Sequence, residues 1–208
     1  MSPTLRGCAG RYAAVHPLGI ALLVAATLTM SGATHVQTHP VGRIRTGLGE
    51  ILIYLSPLTP NHQASFLTLA RAHYWDTLTF NRVIKDFVAQ GGCPDTPAGF
   101  AGSPYLLQPE FHDRLRHVYG AVGAGRDDNP EMLSAGCQFY IVANKNGLAR
   151  LDGRYTVYGQ VIKGMDVVDA IVAVRTDAAN APLAPIALQV DAIDLTAAEL
   201  AAYGFAVK

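Results

Sequence analysis

The sequence predicts a mainly β domain, with short strands closed into a barrel and two α-helices capping its ends. Three observations carry that reading. β-Branched and aromatic residues recur in short runs punctuated by Gly, Pro or Asn. Helical periodicity occupies only two longer stretches, near 61–73 and 165–174. No composition shift or linker divides the chain, so its 208 residues have room for one good core.

The elements follow in order. Val41–Thr46 and Glu50–Leu55 alternate around Gly47-Leu48-Gly49, a hairpin signal. Pro57 and Pro60 end the second strand, and Asn61 is the expected cap of a helix running to about His73, with Phe66, Leu67, Leu69 and Ala70 on its inner face. Thr77–Ile84 reads as a strand, and alternation places Phe80, Arg82 and Ile84 on one face. From Pro94 to Pro109 the Pro, Gly and Ala content marks a long irregular excursion, which in a compact domain tends to be functional surface. Strands resume at Gly120–Gly125, Gln138–Ala143, Tyr155–Val161 and Ile186–Leu195, with a helix at Met165–Val174. Thr196–Tyr203 reads as a short C-terminal helix packed on the outside.

Residues 1–33 read as a targeting segment: Arg6 and Arg11 precede an apolar run of 13 residues, Leu18 to Met30, and Ser31-Gly32-Ala33 offers small residues for cleavage. The competing reading is a membrane anchor, for which the run is short of the roughly 20 residues needed. Either way the domain is exported, periplasmic or secreted. After cleavage no stable membrane span is expected. The divisions are then a signal at 1–33, a short flexible lead at 34–40, the domain at 41–196 and a tail at 197–208. Export also places Cys93 and Cys137 in an oxidising compartment, while Cys8 leaves with the signal. Two cysteines make one bridge or two free thiols, and spacing does not choose.

Charge excludes a function class. Lys+Arg 16 equals Asp+Glu 16 and no basic cluster exists, so nothing supplies the attraction that phosphate backbones exploit. His35 and His39 are spaced like metal ligands, but they fall in the expected lead beside the cleavage site, and no metal is assigned to them. The expected partners are polypeptides, met by a monomer.

The most informative stretch is Phe80–Gly92, FNRVIKDFVAQGG, which sets one cation and one amide among aromatic and β-branched residues. An arginine there reads either as a side chain snorkelling at a sheet edge or as a functional cation over a shallow apolar pocket. The stretch resembles the signature of the cyclophilin-type peptidyl-prolyl cis-trans isomerases. Gly136–Val142 (GCQFYIV), Leu151–Val161 (LDGRYTVYGQV) and Gly120–Arg126 (GAVGAGR) resemble further segments of that family, in the same order. Together they cover roughly Val41 to Leu195.

The resemblance implies a closed eight-stranded antiparallel cyclophilin-like β-barrel capped by two α-helices, and rotamase activity on proline-containing polypeptides without cofactor or metal. By resemblance, Arg82 is the catalytic cation and Gln90 orients it, while Gln138 orients Arg82 or a substrate carbonyl. Phe87, Val88, Tyr140 and Leu151 form the pocket for the proline ring. Tyr155 stands where the family has a rim aromatic or histidine, and backbone at Gly125 and Arg126 holds the peptide as an added strand. Because the two glutamines line one site in that fold, their neighbours Cys93 and Cys137 should be close. On the residues alone, without the motif, Phe87, Tyr140 and Leu151 read as core, and Gly91 and Gly92 as turn residues.

The chain departs from the family pattern in places. Arg150 replaces the aromatic that often precedes Leu-Asp-Gly, which alters a wall used by macrocyclic inhibitors such as cyclosporin. Gly123 and Gly125 replace a serine and an alanine, which predicts a more flexible edge. Pro97 and Ala101 thin a glycine-rich loop. The function reading is an isomerase; the competing one is a binding module of the same fold with little turnover.

Overall fold

The computed structural model describes residues 36–95 and 106–207. The expected signal, Cys8, His35, Pro97 and Ala101 lie outside the described residues.

The chain runs through β1 (Thr38–Thr46), β2 (Gly49–Leu55), α1 (Pro60–Arg71), β3 (Thr79–Ile84), β4 (Val88–Gly92), β5 (Leu106–Leu107), β6 (Ala121–Ala124), β7 (Ser134–Ala135), β8 (Gln138–Val142), β9 (Val157–Lys163), α2 (Met165–Val172), β10 (Ile186–Ala187), β11 (Gln189–Thr196) and α3 (Ala197–Ala202). A single 3₁₀ turn occupies Ala149–Leu151. Among the described residues, β5 pairs only with β7, and the other nine strand segments form one sheet in the order β10-β3-β4-β8-β6-β9-β2-β1-β11.

Every pairing is antiparallel. The two ends of the sheet, β10 and β11, are separated only by Leu188, whose N–H donates to Leu78 O. One stretch of chain therefore pairs with β3 at its start and with β1 along its length, and the sheet curls round to meet itself. Taken as a single strand, 186–196 gives the eight strands expected.

Side chains of alternate rows fill the interior. Phe66 and Leu69 of α1, Trp75, Phe80, Phe139, Ile44, Ile51 and Ile53 form the main core, joined by Val168, Ile171 and Val172 of α2. α3 begins with a capping box, in which Thr196 Oγ1 accepts from Glu199 N (3.2 Å) and the Glu199 carboxylate accepts from Thr196 N (2.7 Å). Its Leu200 is buried with Val41, Leu52 and Tyr54 on the outside of the sheet.

Two expectations are corrected. The lead at 34–40 is not a loose tail throughout, because β1 already pairs with β11 at Thr38↔Thr196 and places His39 opposite Leu195. Asn61 does not cap α1. The helix starts at Pro60, and the carboxylate of Glu110 accepts from Asn61 N (3.1 Å), Asn61 Nδ2 (2.9 Å), His62 N (3.0 Å) and His62 Nδ1 (2.6 Å). An anion brought from elsewhere in the chain satisfies the orphan donors and favours the positive end of the helix. Among the described residues no helix is long and apolar enough to cross a membrane.

Candidate active site

Strand register assembles the site. Arg82 of β3 pairs with Gln90 of β4, Gln90 with Tyr140 of β8, Tyr140 with Gly123 of β6, and Gly123 with Val157 of β9. These five residues form one cross-strand row, and in a pleated sheet such a row shares a face. The adjoining row, Val83, Ala89, Ile141 and Val122, belongs to the main core. The Arg82 row therefore looks away from that core. A second apolar cluster covers this outer face, built from Val88, Ala121, Tyr140, Val142, Leu148 and Val157 with Phe87, Leu115, Leu151 and Tyr155 packed on it.

The expectation that Phe80 shares the face of Arg82 is overturned by a bulge. The β3–β4 register shifts between Phe80 and Arg82, so Phe80 enters the core while Arg82 turns outward. An extra residue in one strand inverts the alternation beyond it.

All ten residues singled out from the sequence line one open hollow of about 170 Å³: Arg82, Phe87, Val88, Gln90, Gly125, Arg126, Gln138, Tyr140, Leu151 and Tyr155. Phe87, Tyr140 and Leu151 thus wall a cleft and stand outside the main core. The Arg82 guanidinium faces the hollow, with Nη1 donating to Gln90 Oε1 at 3.3 Å. Among the described residues it makes no ion pair. Arg126 lies over the Tyr155 ring at 4.6 Å and is held by Arg154 O and Asp127 O, while Arg150 lies 4.9 Å over the Phe87 ring. Two aromatic walls are each covered by a cation.

The glycines of the site make room for neighbours. A Cβ at Gly123 would overlap Tyr140 Cζ and Oη, and one at Gly125 would overlap Gln138 Oε1. Each of these glycines is packed against a side chain of the hollow. Gly91 and Gly92 belong to β4 and not to a turn; Gly92 adopts φ +96° with Cys137 O where a Cβ would sit. That carbonyl also accepts from Trp75 Nε1 (2.9 Å). Cys93 and Cys137 form a disulfide with Cα atoms 5.5 Å apart.

Sequence reasoning missed two groups here. Asp95 lines the hollow, its Oδ1 accepting from Gln138 Nε2 (2.9 Å) and its Oδ2 from Gln90 Nε2 (3.5 Å). Behind the wall, Tyr140 Oη meets His117 Nε2 at 2.7 Å, and His117 Nδ1 meets Asp152 Oδ1 at 2.7 Å. Burial holds His117 below the usual histidine range despite the Asp152 carboxylate, and pushes the Tyr140 phenol well up. Neither Asp95 nor His117 sits in a motif, and only their partners distant in sequence reveal them.

Residues 41–190 match the family model described as cyclophilin type peptidyl-prolyl cis-trans isomerase/CLD. The chain belongs to the cyclophilin-type peptidyl-prolyl cis-trans isomerase family. It is 34% identical over 147 residues to peptidyl-prolyl cis-trans isomerase ppi1 of Schizosaccharomyces pombe, covering 69% of this chain and 92% of that protein. It is 33% identical over 162 residues to a peptidyl-prolyl cis-trans isomerase of Acinetobacter baylyi, covering 74% and 85%. The fold resembles the crystal structure of a cyclophilin type peptidyl-prolyl cis-trans isomerase from Cryptosporidium parvum, with TM-score 0.63 and 23% identity over 77% of this chain and 99% of that one. The cyclophilin architecture thus puts the outward row of Arg82, Gln90 and Tyr140 on a curled antiparallel sheet with few helices.

Proposed function

We propose that this cyclophilin-type chain accelerates rotation about X–Pro bonds in exported polypeptides, acting as a monomer in the periplasm or outside the cell. The observation that carries the isomerase reading is Arg82 held against an apolar hollow with Gln90 on its guanidinium.

Rotating an X–Pro bond breaks amide resonance against a barrier of about 18–20 kcal/mol, and no bond is made or cut. No nucleophile or metal is needed. As conjugation is lost the imide nitrogen regains its lone pair, so a fixed donor aimed at it binds the twisted state more tightly than the planar one. Arg82 is that donor. Phe87, Val88, Tyr140 and Leu151 seat the proline ring, Tyr155 closes the rim, and the backbone at Gly125 and Arg126 holds the flanking peptide as an added strand.

Magnitudes assign the remaining work. About five decades of acceleration need roughly 7 kcal/mol, whereas one charge-assisted hydrogen bond contributes on the order of 1.5–3 kcal/mol. The apolar walls and the clamped peptide supply the difference, by strengthening the Arg82 contact in a water-poor setting and holding one side of the bond while the other turns.

Export is supported by the apolar N-terminal run and by the Cys93–Cys137 bond, a linkage that persists in oxidising compartments. Exchange spectroscopy on a short proline peptide tests the catalytic half. Arg82→Ala should abolish turnover with affinity roughly kept, and Gln90→Ala should fall between it and the native chain. An inactive native protein that still binds the peptide favours a recognition module instead. Sequencing the N-terminus of protein recovered from the periplasm or medium tests export, with a start near Thr34 expected.

A further inference from the structure

A glutamine side chain presents either its oxygen or its NH₂ to a given neighbour, and the choice at Gln90 decides whether it supports or opposes Arg82. With the oxygen toward the guanidinium it accepts; with the NH₂ there, donor faces donor. A carboxylate removes the ambiguity because it only accepts.

Asp95 does this for two glutamines at once. Its Oδ2 takes Gln90 Nε2 at 3.5 Å and its Oδ1 takes Gln138 Nε2 at 2.9 Å. With its NH₂ engaged there, Gln90 turns Oε1 to Arg82 Nη1, 3.3 Å away. Gln138 Nε2 also donates to Cys93 O (2.9 Å), which leaves Gln138 Oε1 beside Gly125, on the edge where a peptide would add. Asp95 lies two residues after Cys93, and Cys137 directly precedes Gln138, so the disulfide fixes both ends of this contact.

We propose that Asp95 is a positioning residue for the isomerase reaction: it selects the amide orientations of Gln90 and Gln138 and thereby keeps Arg82 directed at the twisted imide. The inference rests on Arg82 being the donor to that state. A rival account would make Asp95 act through its charge alone. Asp95 is exposed, so its Coulomb effect is small and falls with salt, whereas acceptor-only chemistry does not. Asp95→Asn separates the two. It keeps the size but adds an NH₂ that needs an oxygen opposite, so one of the two glutamines must turn over.

The test compares the native chain, Asp95→Asn, Gln90→Ala and the double variant on a short proline peptide, separating turnover from affinity by exchange spectroscopy. Asp95→Asn should lower turnover about tenfold, equivalent to about 1.4 kcal/mol, with little change in affinity. The factor should hold at about 0.01 M and about 1 M salt, between which the Debye length shrinks from roughly 30 to 3 Å. In the Gln90→Ala background the extra loss should fall below about twofold, because the route through Gln90 is already gone. The side-chain amide signals of Gln90 and Gln138 should shift, while backbone signals of the core row at Val83 and Ile141 stay in place. Unchanged turnover, a loss that vanishes in high salt, or a full multiplicative loss in the double variant overturns the proposal. A native chain without turnover sinks the catalytic reading instead, and the amide spectra then decide on Asp95: unmoved Gln90 and Gln138 signals refute its positioning role.

Discussion

Tyr140 and His117 are joined ring to ring across the wall of the hollow: their planes lie within 11° of parallel, and Tyr140 Oη is 2.7 Å from His117 Nε2. Asp152 only accepts, so the imidazole proton sits on Nδ1, and Nε2 must take its hydrogen from the phenol. The aromatic wall of the hollow is thereby held from behind by a buried polar chain, and Gly123 leaves the space that the hydroxyl requires.

Tyr140→Phe keeps the apolar wall but strands His117 Nε2 in a buried site. Denaturant unfolding at neutral pH should show a loss of about 1–3 kcal/mol, the cost of an unpaired buried acceptor. A variant as stable as the native chain would show that the contact contributes nothing.

Acid should weaken the fold in two stages. Burial holds both His62 and His117 below the usual histidine range, more strongly than their partners Glu110 and Asp152 raise them. The unfolded chain then binds protons first, so stability falls as pH drops below about 6.5, by up to about 1.4 kcal/mol per pH unit for each histidine, until the folded-state values are reached. For Glu110 and Asp152 burial raises the carboxyl, but the histidine hydrogen bonds and charges outweigh it and leave both lowered. Their contribution is present above the ordinary carboxylate range and is lost at still lower pH. Denaturation midpoints measured from pH 8 down to 3 check both stages, and a flat profile between pH 7 and 5 contradicts the first.

Reduction should loosen the chain. The Cys93–Cys137 bond closes a loop with sequence separation 44, and removing such a link costs about 2–4 kcal/mol. Unfolding of the Cys93→Ser/Cys137→Ser variant should show this loss without any added reductant, and an unaltered midpoint would argue against the bond.

Cyclosporin should inhibit weakly, because Arg150 covers the Phe87 ring at a wall that the family resemblance assigns to an aromatic. Arg150→Trp should tighten inhibition, and nanomolar inhibition of the native chain would overturn the expectation.

Much of the site was legible because its residues are bunched into short motifs on adjacent strands: Arg82, Phe87, Val88 and Gln90 span one hairpin, and Gln138 and Tyr140 the strand beside it. What escaped depends on partners far apart in sequence or on local irregularity. Period-two alternation cannot announce the bulge that sends Phe80 inward and Arg82 outward. Asn61 looked like a cap because its type favours that position, whereas the donors of α1 go to Glu110, 49 residues on. Asp95 and His117 carry no pattern of their own, and their roles appear only once Gln138 and Tyr140 are beside them. Seven strands and the two capping helices were readable to within a few residues; β4, which carries Val88 and Gln90, the short β5–β7 pair, and the cyclisation of the sheet through one C-terminal segment were not.

That last feature bears on how the molecule comes into being. Among the described residues, β1 finds its outer neighbour only in β11 and β3 finds its own only in β10, so a chain emerging from a ribosome lacks both partners until residues 186–196 arrive. Until then two strand margins stand open to self-association, and pairing across so long a stretch of sequence is intrinsically slow. Shortening the chain before Ile186 would leave that nascent condition permanent.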